Sequence, residues 1–329
     1  MKSRITLLTF IAVIAVWLLP VGAFAQYTVE TVSTEGVPKD FVLGPGKTEL
    51  TLNPGESKVV QLLVTNRTGS DQQFELGVED FTGSQNTRQT VVLLGNERGP
   101  YSLKDYLSFE ARTFTLNHGE RAIVPVTVSI PSDAEPGGLY GSVLVSLIPK
   151  KQDFSGQEVT GSNAIVTRLG SLFFVTVPGL TERDGALEAF DTIGRKRFFT
   201  EGPIPFQILY RNEGTIHVNP YGIVSIRNIL GDVVGEVQIE PWFALPNSLR
   251  NREVEWGNSF LMGRYTATLE LNRGYNDIVD TQTITFYVIP WTVILTVVGI
   301  TLIILLFLKW IFSKFEFRKK EKKQEGQEN

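Results

Sequence analysis

Between residues 26 and 289, hydrophobic and polar positions alternate in short segments that are separated by Gly, Pro, Asn and Asp. The segments are rich in Val, Ile, Leu, Thr and Tyr, and the clearest lie at 59–65, 122–130, 142–148, 206–210, 223–226 and 265–271. Alternation with a period of two predicts β-strands, and turn residues at this spacing are typical of β-sandwiches. Because no long amphipathic helical pattern occurs here, we expect an all-β region.

One pattern occurs twice in this region. Gly138-Leu139-Tyr140 and Gly263-Arg264-Tyr265 each open a strand, and each is followed by a polar loop and one more strand. A Tyr at this position in a sandwich often bonds back to the backbone, as a tyrosine corner. Upstream, residues 64–69 and 209–214 both end an apolar strand in a turn with Asn and Gly. The repetition predicts two tandem immunoglobulin-like β-sandwich domains.

The boundary between the two predicted domains is set by the number of strands that each needs. The polar stretch 150–163 looks like a linker, but a cut there would remove the last strand from the first domain, so we interpret it as a long hairpin loop. Turn residues occur again between Pro178 and Gly185. The predicted domains are therefore residues 26–180 and 181–289.

Two hydrophobic runs flank the predicted sandwiches. Residues 1–25 have a basic start, an apolar middle and a final Ala-Phe-Ala, which predicts a secretory signal peptide; an uncleaved N-terminal anchor is the alternative. Residues 290–308 are long enough as a helix to cross a hydrocarbon layer of about 30 Å, and they lack the polar stripe of a soluble helix. The sequence predicts one transmembrane helix, with a lipid bilayer as partner.

The tail at 309–329 contains seven basic and four acidic residues. Basic residues collect on the cytoplasmic side of membrane helices, so we predict a single-pass protein of the cell membrane with an extracellular N-terminal part and a cytoplasmic tail. Without the signal peptide and the tail, 22 basic residues remain against 31 acidic ones. This acidic balance argues against nucleic acid as a partner.

The chain contains no cysteine. An exported animal immunoglobulin-like protein would be expected to have disulfides, so their absence favours a bacterial surface protein. The lack of cysteine also excludes thiol redox chemistry and thiolate metal sites.

The residues that could act in catalysis or bind a metal form no recognisable site, so we predict that the protein is not an enzyme and has no cofactor or metal. The histidines, His118 and His217, are not spaced as metal ligands with another His, Asp or Glu. A Ser-His-Asp triad forms in space rather than in sequence and stays open, but no G-x-S-x-G motif supports it. The carboxylates Glu79-Asp80, and Asp277 with Asp280, are interpreted as solvated loop charges rather than calcium ligands or a glycosidase pair.

Two segments of the second domain are candidates for partner binding. Trp242-Phe243 follows a proline, and an exposed aromatic pair there would stack on sugar or anchor a protein; core packing of either ring is the favoured alternative. Arg195, Lys196 and Arg197 form a compact basic segment, which would face an acidic ligand or simply be solvated. Solvation is the favoured interpretation of these three residues.

The segment Leu245-Pro246-Asn247-Ser248, Arg250, Val254-Glu255-Trp256 and Gly263-Arg264-Tyr265 resembles a pattern of immunoglobulin-like domains in bacterial surface proteins. An earlier sandwich, in which the turn 52–56 precedes a strand that ends at Asn66, and a C-terminal anchor complete the likeness. The layout is similar to that of WxL-interacting proteins. The resemblance implies a Gram-positive surface protein with a peptidoglycan-binding domain, a host-binding domain and a membrane helix.

Three functions follow as hypotheses. The leading one is a non-enzymatic surface adhesion or scaffold protein that binds cell-wall glycan, a surface protein or a host protein through its sandwiches. The alternative is a membrane accessory or chaperone-like subunit, which uses an open sandwich edge to complete the strands of a client during assembly of surface proteins. A surface hydrolase is the third, and it requires a cleft that brings His118 or a carboxylate pair beside a nucleophile.

Overall fold

The computed structural model describes residues 27–33, 39–148, 167–257 and 261–314. The predicted signal peptide, the predicted hairpin loop at 150–163 and the tail beyond Lys314 lie outside the described residues. The chain divides into two compact units. Unit 1 comprises residues 1–184 with the short segments 213–217 and 245–248, and unit 2 comprises residues 185–212, 218–244 and 249–329.

Unit 1 contains eleven strands among its described residues. They are β1 (Thr28–Thr31), β2 (Phe41–Gly44), β3 (Lys47–Thr51), β4 (Ser57–Asn66), β5 (Gln72–Gly83), β6 (Val91–Leu93), β7 (Leu107–Ser108), β8 (Thr113–Leu116), β9 (Glu120–Ser129), β10 (Gly137–Ile148) and β11 (Arg168–Val177). One sheet has the order β1-β9-β4-β2, with β7 also paired to β9. The other has the order β3-β11-β10-β5-β6, with β8 also paired to β5.

Alternation of apolar side chains builds the core between these two sheets. β9 is the clearest case, because Ala122, Val124, Val126 and Val128 are fully buried while the residues between them are more exposed. Phe74 of β5 lies in the same core and packs against the ring of Phe114 with a centroid distance of 5.7 Å. Burial of such a continuous apolar layer is the main stabilising contribution to a sandwich.

The segment that contains β2 and β3 crosses from one sheet of unit 1 to the other. β2 pairs antiparallel with β4, and after Gly44-Pro45-Gly46 the chain continues as β3, which pairs in parallel with β11. Proline lacks a backbone N–H and glycine has no side chain to place, so this tripeptide suits a break in the ladder.

Unit 2 contains eight strands among its described residues, and it repeats this crossing. They are β12 (Gly185–Thr192), β13 (Phe198–Phe199), β14 (Ile204–Asn212), β15 (Tyr221–Arg227), β16 (Val233–Ile239), β17 (Ser248–Trp256), β18 (Gly263–Asn272) and β19 (Val279–Val288). One sheet has the order β12-β14-β17 and the other β13-β19-β18-β15-β16. β12 pairs antiparallel with β14, whereas β13 pairs in parallel with β19. The predicted fold class, immunoglobulin-like β-sandwiches with one C-terminal helix, is confirmed.

Both tyrosines of the repeated sequence pattern lie near the start of equivalent strands, but they bond differently. In unit 2 the Tyr265 hydroxyl bonds the backbone of Met262, three residues upstream, at 3.1 Å to the carbonyl oxygen. In unit 1 the Tyr140 hydroxyl instead accepts the backbone N–H of His217 at 2.8 Å. The expected tyrosine corner is thus local at Tyr265, whereas Tyr140 bonds a residue distant in sequence.

One α-helix is present among the described residues, α1 (Trp291–Lys314), and it follows β19 after Ile289 and Pro290. Its 24 residues span about 36 Å at 1.5 Å per residue, which is enough to cross a bilayer, and its side chains are exposed to the surroundings. The hydroxyls of Thr296 and Thr301 donate to carbonyl oxygens four residues earlier, so they need no water. The helix begins one residue after the predicted span and ends six residues beyond it.

Candidate functional site

Trp242 is a core residue of unit 2 rather than a surface aromatic. Its side chain is 6% exposed and meets the ring of Tyr210 edge to face at a centroid distance of 6.4 Å. Phe243 is half-buried, and the Arg250 guanidinium lies 5.0 Å from the centre of its ring. The idea of an exposed aromatic pair is therefore corrected for Trp242, and the core alternative holds because the apolar indole is excluded from water.

The basic segment 195–197 follows β12, and its first residue, Arg195, is the last residue of the 3₁₀ turn Ile193–Arg195. Arg197 forms an ion pair with Asp191, whose pKa is lowered chiefly by hydrogen bonding to that guanidinium. Arg195 and Lys196 are exposed. The carbonyl oxygen of Arg197 accepts the backbone N–H of Tyr287 at 2.7 Å, so the segment is fixed beside the end of β19.

The remaining candidate catalytic groups have structural roles. His118 Nδ1 accepts the backbone N–H of Gly69 at 3.1 Å. The interpretation of the carboxylates as solvated loop charges is wrong for Asp80 and Asp280, because both lie in strands: Asp80 is fully buried and accepts backbone N–H groups, while Asp280 forms an ion pair with Arg273. Within the described residues, no group of three His, Cys, Asp or Glu side chains is arranged to hold a metal ion.

His217 lies partly buried among aromatic rings of unit 1. Its Nδ1 lies 3.3 Å from the Tyr140 hydroxyl oxygen, and the Phe174 ring meets the imidazole at a centroid distance of 5.2 Å. Burial lowers the pKa of His217 to about 4 and raises the pKa of Tyr140. A Tyr hydroxyl that accepts the backbone N–H and donates to Nδ1 of one residue suits a neutral imidazole.

The edges of the sheets are the places where a partner strand would pair, and the edge strands β12, β17 and β3 are blocked. β12 has a bulge between Leu187 and Ala189. The backbone N–H groups of Leu187 and Phe190 donate to the side chains of Asp280 and Gln282, at 2.8 and 2.9 Å, so they are not available to a partner strand. Bulges and capped groups prevent further pairing.

Charged side chains protect other edges. β17 contains Arg250, Arg252, Glu253 and Glu255, and β3 contains Lys47 and Glu49, which form an ion pair at 2.8 Å. Charges on an edge disfavour strand addition because an incoming backbone would desolvate them.

β16 differs from these strands. It is the terminal strand of its sheet, and it pairs only with β15 in the described structure. Its seven residues include a single charged side chain, Glu236, and Val233 and Val234 are 46% and 44% exposed. A bulge near Val234 interrupts its first residues, after which Gly235–Ile239 pair regularly with β15. β16 is thus the longest edge strand with at most one charge in the described residues.

Gly235 lets the side chain of Trp256 lie against β16. A Cβ added at Gly235 would come 2.0 Å from the indole Nε1, and Trp256 is held in turn by Tyr265 at a ring centroid distance of 5.2 Å. Sequence reasoning placed Trp256 in the core, which is confirmed, but it did not single out β16. The sequence did contain a signal for this edge strand, in Val233-Val234-Gly235-Glu236-Val237. This segment follows a turn, has an alternating pattern and contains one charged residue.

Substitution of Gly235 tests this packing. We expect Gly235→Ala to destabilise the protein by about 2 kcal/mol, because the new methyl group collides with a rigid, enclosed indole. Differential scanning calorimetry of the full-length chain, which records the unfolding of both units, would measure the change. Gly77→Ala is the matched control, since that strand glycine has no atom within 4 Å of an added Cβ; an equal loss in both variants would contradict the packing argument.

A second surface feature lies on unit 1. A groove of about 310 Å³ is lined by Val91, Leu93, Leu144 and Leu172, with Gly170 and Gly46 leaving room beside them. At its border Arg168 bonds Glu79 at 2.9 Å. The groove is apolar and open to solvent, so it suits a hydrophobic side chain rather than a charged ligand.

No family model matches the chain, and no curated protein matches it significantly. Solved structures with a similar fold include the class 5 fimbriae chaperone CfaA, with a TM-score of 0.34, 13% identity and coverage of 75% of this chain and 99% of that chain. The E. coli chaperone DraB has a TM-score of 0.32 and 14% identity, and the match covers 75% of this chain and 95% of that chain. A complex of CsuC and CsuE from Acinetobacter baumannii has a TM-score of 0.33, 10% identity and coverage of 66% and 90%. Likenesses this remote assign no function to the chain.

Proposed function

We propose that this chain is a membrane-anchored, non-enzymatic accessory protein that holds an extended segment of a partner polypeptide by strand addition to β16. The observation that carries the proposal is the open edge itself, which ends a five-stranded sheet with seven residues and one charge. It corresponds to the accessory or chaperone-like alternative of the sequence analysis. The helix α1 supplies the anchor, and the extracellular orientation belongs to the proposal.

The chemistry of β16 fits a strand rather than a small molecule. An edge strand offers unpaired N–H and C=O groups along its free side, and each backbone hydrogen bond contributes about 0.5–1.5 kcal/mol. Val234, Glu236 and Gln238 lie on one face and are exposed, so alternate side chains of an added strand would meet them. An apolar partner strand with a basic residue opposite Glu236 would match this pattern.

The adhesion or scaffold hypothesis has less support from the described residues. Trp242 and Trp256, the two tryptophans of the second sandwich, are 6% and 8% exposed and are not available to stack on sugar rings. The resemblance to WxL-interacting proteins, with its implied peptidoglycan and host partners, stays a prediction.

Site-specific photo-crosslinking in the producing cells tests the proposal. A photoreactive amino acid is placed in the full-length chain at Val234, Glu236 or Gln238, and in a control at Val279, which is exposed on β19 and is separated from β16 by β18 and β15. We expect the three β16 positions to cross-link to the same polypeptide, and we expect no cross-link to that polypeptide from Val279. Mass spectrometry of the adducts should place the cross-links at alternate residues of one partner segment, as strand pairing requires.

A charged edge provides the second arm of the test. The double variant Val234→Lys, Gln238→Lys changes exposed positions and should fold normally, but it should abolish the Glu236 adduct because added lysines block an edge. An adduct that persists in this variant, or that scatters over unrelated segments, would contradict strand addition.

A further inference from the structure

We propose that the end of unit 2 from which α1 leaves is a membrane-contacting face, whose apolar side chains enter the headgroup layer of the bilayer that α1 crosses. The proposal rests on the membrane anchor of the proposed function, but it does not depend on strand addition to β16.

Strand register places several turns at this end of the sheet. Val288, the last residue of β19, pairs with Gly263, and Thr285 pairs with Thr266, which itself pairs with Arg227. The turn 228–232 that joins β15 to β16 begins directly after Arg227. At about 3.3 Å per residue, its tip therefore lies level with Tyr287 and Val288.

Large apolar side chains are exposed together at this level. Their exposed fractions are high for such residues: Phe198 68%, Ile229 70%, Leu230 82% and Met262 60%. The Phe198 ring stacks on Tyr287 at a centroid distance of 5.3 Å. Exposed apolar groups on the tip of a turn are costly in water and are typical of surfaces that meet a membrane or a partner.

The short connection to the helix identifies the bilayer as the occupant. Ile289 and Pro290 alone separate β19 from α1, and two extended residues span about 7 Å. The headgroup layer on each side of the hydrocarbon core is about 5–7 Å thick. When Trp291 lies at the edge of the hydrocarbon, Leu230 and its neighbours are consequently within the headgroup layer.

Charge is consistent with this placement. Arg264, which pairs with Tyr287, is exposed at this level, and Arg195, Lys196 and Arg227 are exposed in the turns and strand ends nearby, whereas Glu201 and Asp232 are the acidic residues of the same turns. Basic side chains bind lipid phosphates, and the rest of the predicted ectodomain is acidic. Lipid phosphates thus give a role to the exposed Arg195 and Lys196, whereas Arg197 is ion-paired with Asp191.

The absence of native cysteine makes a direct test possible. Single variants Leu230→Cys and Val279→Cys of the full-length chain are spin-labelled and reconstituted in nanodiscs of phosphatidylcholine and phosphatidylglycerol. Val279 is the control, because it is 52% exposed and lies at the opposite end of β19. A third variant, Leu302→Cys, reports on the middle of α1. Collision rates with oxygen and with a water-soluble nickel chelate are measured at each label.

We expect the ratio of oxygen to nickel collisions to be at least about threefold higher at position 230 than at 279, since the label at 230 enters the headgroup layer. The ratio at position 302 should be higher still. Equal ratios at 230 and 279, with a high ratio at 302, would overturn the membrane-contacting face and leave the anchor intact. A low ratio at 302 would instead overturn the anchor, and the face with it.

Discussion

Replacing Asp80 with alanine is expected to destabilise unit 1 by about 3–5 kcal/mol, because the substitution leaves buried N–H groups without an acceptor. The Asp80 side chain is fully buried in the second half of β5. Its Oδ1 accepts the backbone N–H groups of Leu103 and Lys104 at 3.0 and 2.9 Å, and Oδ2 accepts that of Gly99 at 3.1 Å. One carboxylate thus fixes the segment between β6 and β7.

Chemical denaturation of the full-length chain would measure this loss. Glu75→Ala is the matched control, since Glu75 lies in the same strand with an exposed side chain, and little change is expected there. Asp80→Asn keeps one acceptor oxygen and should lose less than Asp80→Ala. If Asp80→Ala were no less stable than Glu75→Ala, the three hydrogen bonds would not contribute as described.

Acid should destabilise unit 1 through His217, by about 3 kcal/mol in total. The pKa of His217 in the fold is about 4, below the ordinary value of 6.5, chiefly because of burial. Above pH 6.5 both the folded and unfolded chains keep this residue neutral. As the pH falls from 6.5 to 4, the unfolded chain binds the proton and the folded chain does not, so stability decreases; below pH 4 this contribution is constant.

Histidine ¹³C resonances followed against pH would show the titration directly. In His118→Gln the remaining signal belongs to His217, and its midpoint in the folded protein should lie near pH 4. His217→Gln should remove about 3 kcal/mol of the stability loss between pH 7 and pH 4. A folded-state midpoint near 6.5 would contradict the burial of a neutral imidazole beside Tyr140.

The two proposals for unit 2 place different functions on adjacent parts of one hairpin. The tip of the hairpin, with Ile229 and Leu230, is assigned to the bilayer, and the free side of β16 from Gly235 to Ile239 is assigned to a partner strand. A partner segment held there would lie close to the membrane surface. Because the cross-linking and depth measurements probe different test positions, 234, 236 and 238 in the one and 230 in the other, each proposal can fail without the other.

Local pattern in the sequence determined much of this protein. Strand alternation, the repeat of Tyr140 and Tyr265, and the uncharged run before Lys309 predicted β-sandwiches and an apolar helix, because burial of alternate residues and lipid solvation leave a direct trace in composition. The core position of Trp256 followed from the same alternation.

Only the tertiary structure decided which groups are exposed and which edges are open. The sequence of β16 does not predict that this strand lies at the end of its sheet. Edge position depends on strand order, and strand order is set by long-range pairing. Likewise, Trp242 and Asp80 carry no local mark of burial, and the bond from His217 to Tyr140 joins residues 77 positions apart. Sequence determined the elements through local periodicity, whereas exposure and partners were decided by contacts between distant segments.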